Sequence, residues 1–90
     1  MLFVILGSVR AGTVRERTER RLKWSYPPGA GMIAEYWLQT PDPNLISIVE
    51  ADDLAQIMAG TSQWDDVFSF QVVPAVTAEQ GMEIAKKMMA

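Results

Sequence analysis

An α+β fold on a four-stranded antiparallel sheet is predicted for this 90-residue chain by three observations. Four runs are apolar or alternating over strand lengths, helical runs separate and follow them, and two of those helices begin at capping boxes. The predicted order is strand–helix–strand–strand–helix–strand plus a C-terminal helix.

The first strand is Leu2–Val9. Leu2, Val4 and Leu6 share one face and Phe3 and Ile5 the other, so the strand needs cover on both sides. Thr13-Val14-Arg15-Glu16 is a capping box: the Thr13 hydroxyl accepts from the Glu16 amide and the Glu16 carboxylate reaches back to the Thr13 amide. The spacing predicts a helix to about Ser25, with a thin stripe of Val14, Thr18 and Leu22 and i,i+4 pairs Glu16–Arg20 and Glu19–Lys23. Pro27-Pro28-Gly29-Ala30-Gly31 ends it in a turn.

Met32–Gln39 alternates, with Ala34, Tyr36 and Leu38 on one face and Glu35, Trp37 and Gln39 on the other. Pro41-Asp42-Pro43-Asn44 turns the chain into a third strand, Leu45–Glu50. Asp52 or Asp53 caps a short helix through Leu54, Ile57 and Met58, closed at Gly60. Val67–Val76 is the last strand, with Phe68, Phe70 and Val72 opposite Ser69, Gln71 and Val73. Pro74 implies that its end lies at an edge or has stopped pairing. Thr77-Ala78-Glu79-Gln80 is the second capping box and starts an amphipathic helix over 78–90. This order is the ferredoxin-like βαββαβ arrangement with an extra C-terminal helix, in a single domain over 1–90.

Composition sets limits on chemistry. The chain is 49% apolar with a net charge of −3, which argues against disorder. It contains no cysteine and no histidine. Disulfides, thiolate metal sites, Ser-His-Asp triads and histidine-ligated haem are therefore excluded. The first apolar run is too short for a membrane span and lacks the basic flank of a leader, so a cytoplasmic protein with no membrane partner is expected.

The two main helices cover one face of the sheet, yet strand one is apolar on both. A bare apolar face of several hundred Å² is sticky, and a second copy placed sheet to sheet is the simplest cover. A homodimer is expected.

The Gly29-Ala30-Gly31 turn followed by Glu35-Tyr36-Trp37, Val49-Glu50-Ala51-Asp52-Asp53-Leu54, Trp64-Asp65-Asp66 and Val72-Val73-Pro74-Ala75-Val76 resembles the dimeric α+β barrel superfamily. It is most similar to a family of short uncharacterised proteins, domain of unknown function number thirty-three-zero-three. The resemblance covers nearly the whole chain and rests on the order and spacing of these motifs. It implies two protomers joining their sheets into a barrel, with a ligand cavity beneath. Relatives include cofactor-free monooxygenases, haem-degrading enzymes, muconolactone isomerase and small-ligand sensors. This chain lacks the histidine that the haem-binding and His-Asp branches use.

Glu35 and Trp37 are the sharpest candidates. If Ala34, Tyr36 and Leu38 face the helices, Glu35 and Trp37 face the inter-sheet cavity. Glu35 is then a desolvated carboxylate with a raised pKa, suited to a general base, and Trp37, with Tyr36, shapes an apolar or aromatic pocket. The structural alternative has Glu35 meeting an arginine or water near the sheet edge and Trp37 in a dimer core. Ser69 and Gln71 either orient a ligand or hydrogen-bond between protomers. Glu50 is a second candidate acid or a solvated strand end, its face undetermined.

Asp52-Asp53 and Asp65-Asp66 lack the spacing of a calcium loop, so no metal and no cofactor are implied. Residues 1–30 hold six basic and two acidic side chains against two and nine in 31–90. A solvated face or charge matching between protomers accounts for this better than nucleic acid in an acidic chain. The leading expectation is a dimeric barrel binding a small apolar or aromatic ligand. The alternatives are a cofactor-independent monooxygenase or isomerase using Glu35, and an interaction module without ligand.

Overall fold

The computed structural model describes residues 1–90. The elements are β1 (Leu2–Val9), α1 (Val14–Leu22), β2 (Ala30–Trp37), β3 (Leu45–Ala51), α2 (Leu54–Thr61), β4 (Phe68–Ala75) and α3 (Ala78–Met89). The strands form one sheet in the order β2-β3-β1-β4, all neighbours antiparallel. This is the predicted ferredoxin-like βαββαβ order with its extra C-terminal helix.

Capping sets the helix starts. Asp53 accepts from the Ala55 amide at 2.7 Å, and Gln56 Oε1 accepts from the Asp53 amide at 2.9 Å, closing a box ahead of α2. Thr77 and Gln80 do the same for α3. At α1 the expected box is only half formed: Thr13 accepts from the Glu16 amide, but the Glu16 carboxylate takes the Thr13 hydroxyl at 3.0 Å rather than its amide. The predicted i,i+4 pairs of α1 are also replaced. Glu19 pairs with Arg15, and Arg20 reaches Asp66. That hydrogen bond from Arg20 holds the Asp66 carboxyl below its usual 3.8.

The largest boundary differences from expectation are in the first helix and the second strand. The first helix stops at Leu22, not near Ser25. The segment after it instead turns Trp24 and Tyr26 edge to face, centroids 4.7 Å apart, before two prolines that disfavour helix. The second strand starts at Ala30, because Gly29, at φ 88°, makes the turn in a region other residues rarely occupy.

The core lies on the helix side of the sheet: Phe3, Ile5, Val49 and Ala51 meet Ile57 of α2. Tyr26, Phe70 and Val72 pack against this group. Only α2 approaches the sheet backbone closely; α1 stands further off. On the other face, Leu2, Val4, Leu6, Ile46 and Ile48 are only half-buried. α3 buries none of its residues, leaving Met82, Met88 and Met89 exposed.

The result is an open shape. A compact monomer of 10.0 kDa has roughly 5,200 Å² of accessible surface; this chain has 6324 Å². Its radius of gyration is 15.0 Å, against about 12 Å for a compact domain of this length.

Candidate functional site

The gap between α1 and the sheet is a cavity of about 240 Å³, partly open at one side. All three tryptophans line it, with Tyr26, Phe68 and Phe70. Trp24 stacks edge-on against Trp64 at 5.9 Å, and Trp64, Phe68 and Phe70 continue the row at 6.0 and 5.5 Å. Arg20 lies over the Trp64 ring at 4.7 Å and Arg21 over Trp24 at 5.5 Å. These contacts hold Trp24 and Trp64 in a largely aromatic wall.

Glu35 is the polar centre of this wall. β2 carries it opposite Ser47 of β3, and Ser47 shares its face with the buried Val49 and Ala51. Four donors meet the carboxylate. Oε1 accepts from the Ser47 hydroxyl at 3.1 Å and the Tyr26 hydroxyl at 3.3 Å. Oε2 accepts from Trp37 Nε1 at 2.9 Å and Arg21 Nε at 3.3 Å. The side chains of Glu35 and Arg21 are 12% and 28% exposed, so the ion pair is largely withdrawn from water. A carboxylate has about four lone-pair sites, and here every one has a donor.

The face assignment expected for β2 is thus corrected. Glu35 and Trp37 point to the helix side, and Ala34 and Tyr36 to the open face. The reason is local: the register shifts between Met32 and Ala34, which breaks the simple alternation that would extend a face along the strand. Tyr36 therefore stands across the sheet from Glu35, not beside it. Ser69 and Gln71 lie on that same open face, paired with Ser8 and Leu6. Glu50 is there too, opposite Leu2 and Gly31, exposed, and bonded to the Met1 amine at 2.7 Å. The six candidates divide into Glu35 and Trp37 on the cavity and Tyr36, Glu50, Ser69 and Gln71 on the opposite face.

Sequence reasoning missed Arg21, Trp24, Tyr26, Ser47 and Trp64 as members of the site. Ser47 carried a signal. It is the one polar residue in the run Leu45–Val49, and a buried hydroxyl needs a partner. Asp53 is used as a helix cap and Asp66 as the partner of Arg20.

Burial raises the Tyr26 hydroxyl above its ordinary 10.0; the neighbouring Glu35 carboxylate adds to the rise, while Ser47 and Arg21 oppose it. A pKa raised by folding means stability present below 10.0 that is lost as pH climbs through the folded value. In an alkaline titration followed by phenolate absorbance, Tyr26 is expected to ionise above 10.0, with the thermal midpoint falling over the same range. Tyr26→Phe should remove that late component. A late component unchanged in Tyr26→Phe would refute the assignment.

Residues 1–89 match the family model described as Domain of unknown function (DUF3303). The chain belongs to this family. No curated protein and no solved structure matches this DUF3303 chain. No helix in it is long and apolar enough to cross a membrane.

Proposed function

We propose that this DUF3303 protein is a homodimeric α+β barrel protein that binds a small apolar or aromatic molecule between α1 and the sheet. The observation that carries the reading is the aromatic cavity of about 240 Å³ with Glu35 in its wall. An apolar engineered cavity of about 150 Å³ holds benzene, so this one has room for a two-ring molecule. A cavity that contains Glu35 favours ligand binding over an interaction module. The cytoplasmic location expected from the sequence belongs to the same reading.

Glu35 acts in this reading as a positioning residue. A general base must aim a free lone pair at a substrate proton. Four protein donors occupy those of Glu35. It holds Trp37, Tyr26 and Arg21 in place around the ligand.

Native mass spectrometry of freshly purified protein tests both parts. A species of twice the 10.0 kDa chain mass carrying a small organic adduct is expected. A bare 10.0 kDa monomer that takes up no aromatic compound would overturn the reading.

A further inference from the structure

The polar groups around the cavity are unequal in what they have left to offer. Its charged lining residues are Arg17, Arg21 and Glu35. The Glu35 carboxylate is filled by protein donors, as described. One lining acceptor without a partner, Asn44 Oδ1, is sealed from solvent, so a ligand does not reach it. The arginines are different. A guanidinium has five N–H donors. Arg21 uses Nε on Glu35 and Nη1 on the Trp24 carbonyl at 3.4 Å, which leaves Nη2. Arg17 uses only Nη1, on the carbonyl oxygens of Ala11 at 3.2 Å and Gly12 at 2.7 Å. Its Nε and Nη2 have no protein acceptor, and no carboxylate neutralises it.

Those two carbonyl bonds also hold Arg17 in position. Gly12 adopts φ 83°, which turns the loop before α1 and brings its carbonyl to the guanidinium. The side chain is half-buried at the cavity lining rather than free in solvent. A held guanidinium with a free edge matches a planar carboxylate in two-point geometry.

Resting on the proposed ligand-binding function, we infer that the cavity selects an aromatic carboxylate: a two-ring apolar body among the tryptophans, with its acid group on Arg17. Cationic ligands meet two arginines and find no free carboxylate. A neutral hydroxyl or amide ligand can accept from Arg17 but leaves its charge unpaired. An anion satisfies the excess positive charge and the free N–H groups together.

Isothermal titration calorimetry on the full chain with three probes tests this: 1-naphthoate, its neutral amide 1-naphthamide, and the cation 1-naphthylmethylammonium. Naphthoate is expected to bind about 10- to 100-fold more tightly than naphthamide, with the cation weakest. Arg17→Met should abolish the preference while leaving naphthamide affinity within a few-fold, and Arg17→Lys should keep part of it. Equal affinities for naphthoate and naphthamide in the wild-type chain would overturn the inference while leaving the cavity reading intact, as would a preference undiminished in a folded Arg17→Met. If none of the three probes binds, the cavity reading fails and this inference with it.

Discussion

Replacing Glu35 by alanine is expected to cost this domain about 3–5 kcal/mol, the usual penalty for removing one member of a buried ion pair. The effect comes from what remains. Arg21 keeps its charge with its side chain 28% exposed. The Ser47 and Tyr26 hydroxyls and the Trp37 N–H lose their acceptor together. A chain of this length has roughly 5–13 kcal/mol of stability in total, so the loss is a large share of it. At a fixed protein concentration the urea midpoint should fall by roughly 2 M or more. Glu35→Gln is expected to lie between wild type and alanine, because one amide oxygen serves two donors and the amide N–H groups confront the other two. A fall of less than ~0.5 M for Glu35→Ala would mean that water replaces the carboxylate at little cost, and that Glu35 does not organise the site.

That expectation differs from the role the sequence suggests for Glu35, and the difference shows what a sequence can hold. Strand and helix order were legible because they rest on local signals: the double-sided apolar run of β1, the Asp53 and Thr77 caps, the Phe68–Phe70–Val72 alternation. Glu35 and Trp37 stood out by residue type, and their shared face follows from their spacing of two. Which side of the sheet that face takes was not legible. It depends on a register shift at Met32–Ala34 and on Ser47 arriving opposite Glu35 from another strand. The donors come from further away still. Arg21 is 14 residues from Glu35 in sequence and Ser47 is 12. No periodicity within one element reports such a convergence. Helix α1 misled for a related reason. Its charges look self-paired along the helix, yet Arg20 turns to the exposed Asp66, and Arg21 to the largely buried Glu35.

The open face of the sheet carries the second large effect. The surface in excess of a compact monomer is roughly 1,000 Å², above the ~800 Å² each partner contributes to a standard interface. The exposed apolar surface includes the open sheet face and the stripe of α3, and a 12-residue helix without tertiary support is marginal in water. Ile48 lies at the middle of that face, level with Val4 on one side and Ala34 on the other. In a two-fold dimer built sheet to sheet, a residue there approaches its own copy. Ile48→Lys therefore places like charges together in a desolvated interface, while in a monomer the same lysine extends into water. Sedimentation at micromolar concentration should show the wild-type chain as a dimer and Ile48→Lys as a folded monomer, with association weakened at least ~100-fold, or about 2.7 kcal/mol. Circular dichroism of the variant separates loss of association from loss of fold, because Ile48 points away from the Phe3–Val49–Ile57 core. A wild-type chain that sediments only as monomer, or an Ile48→Lys chain that dimerises undiminished, would remove the sheet face as the site of assembly.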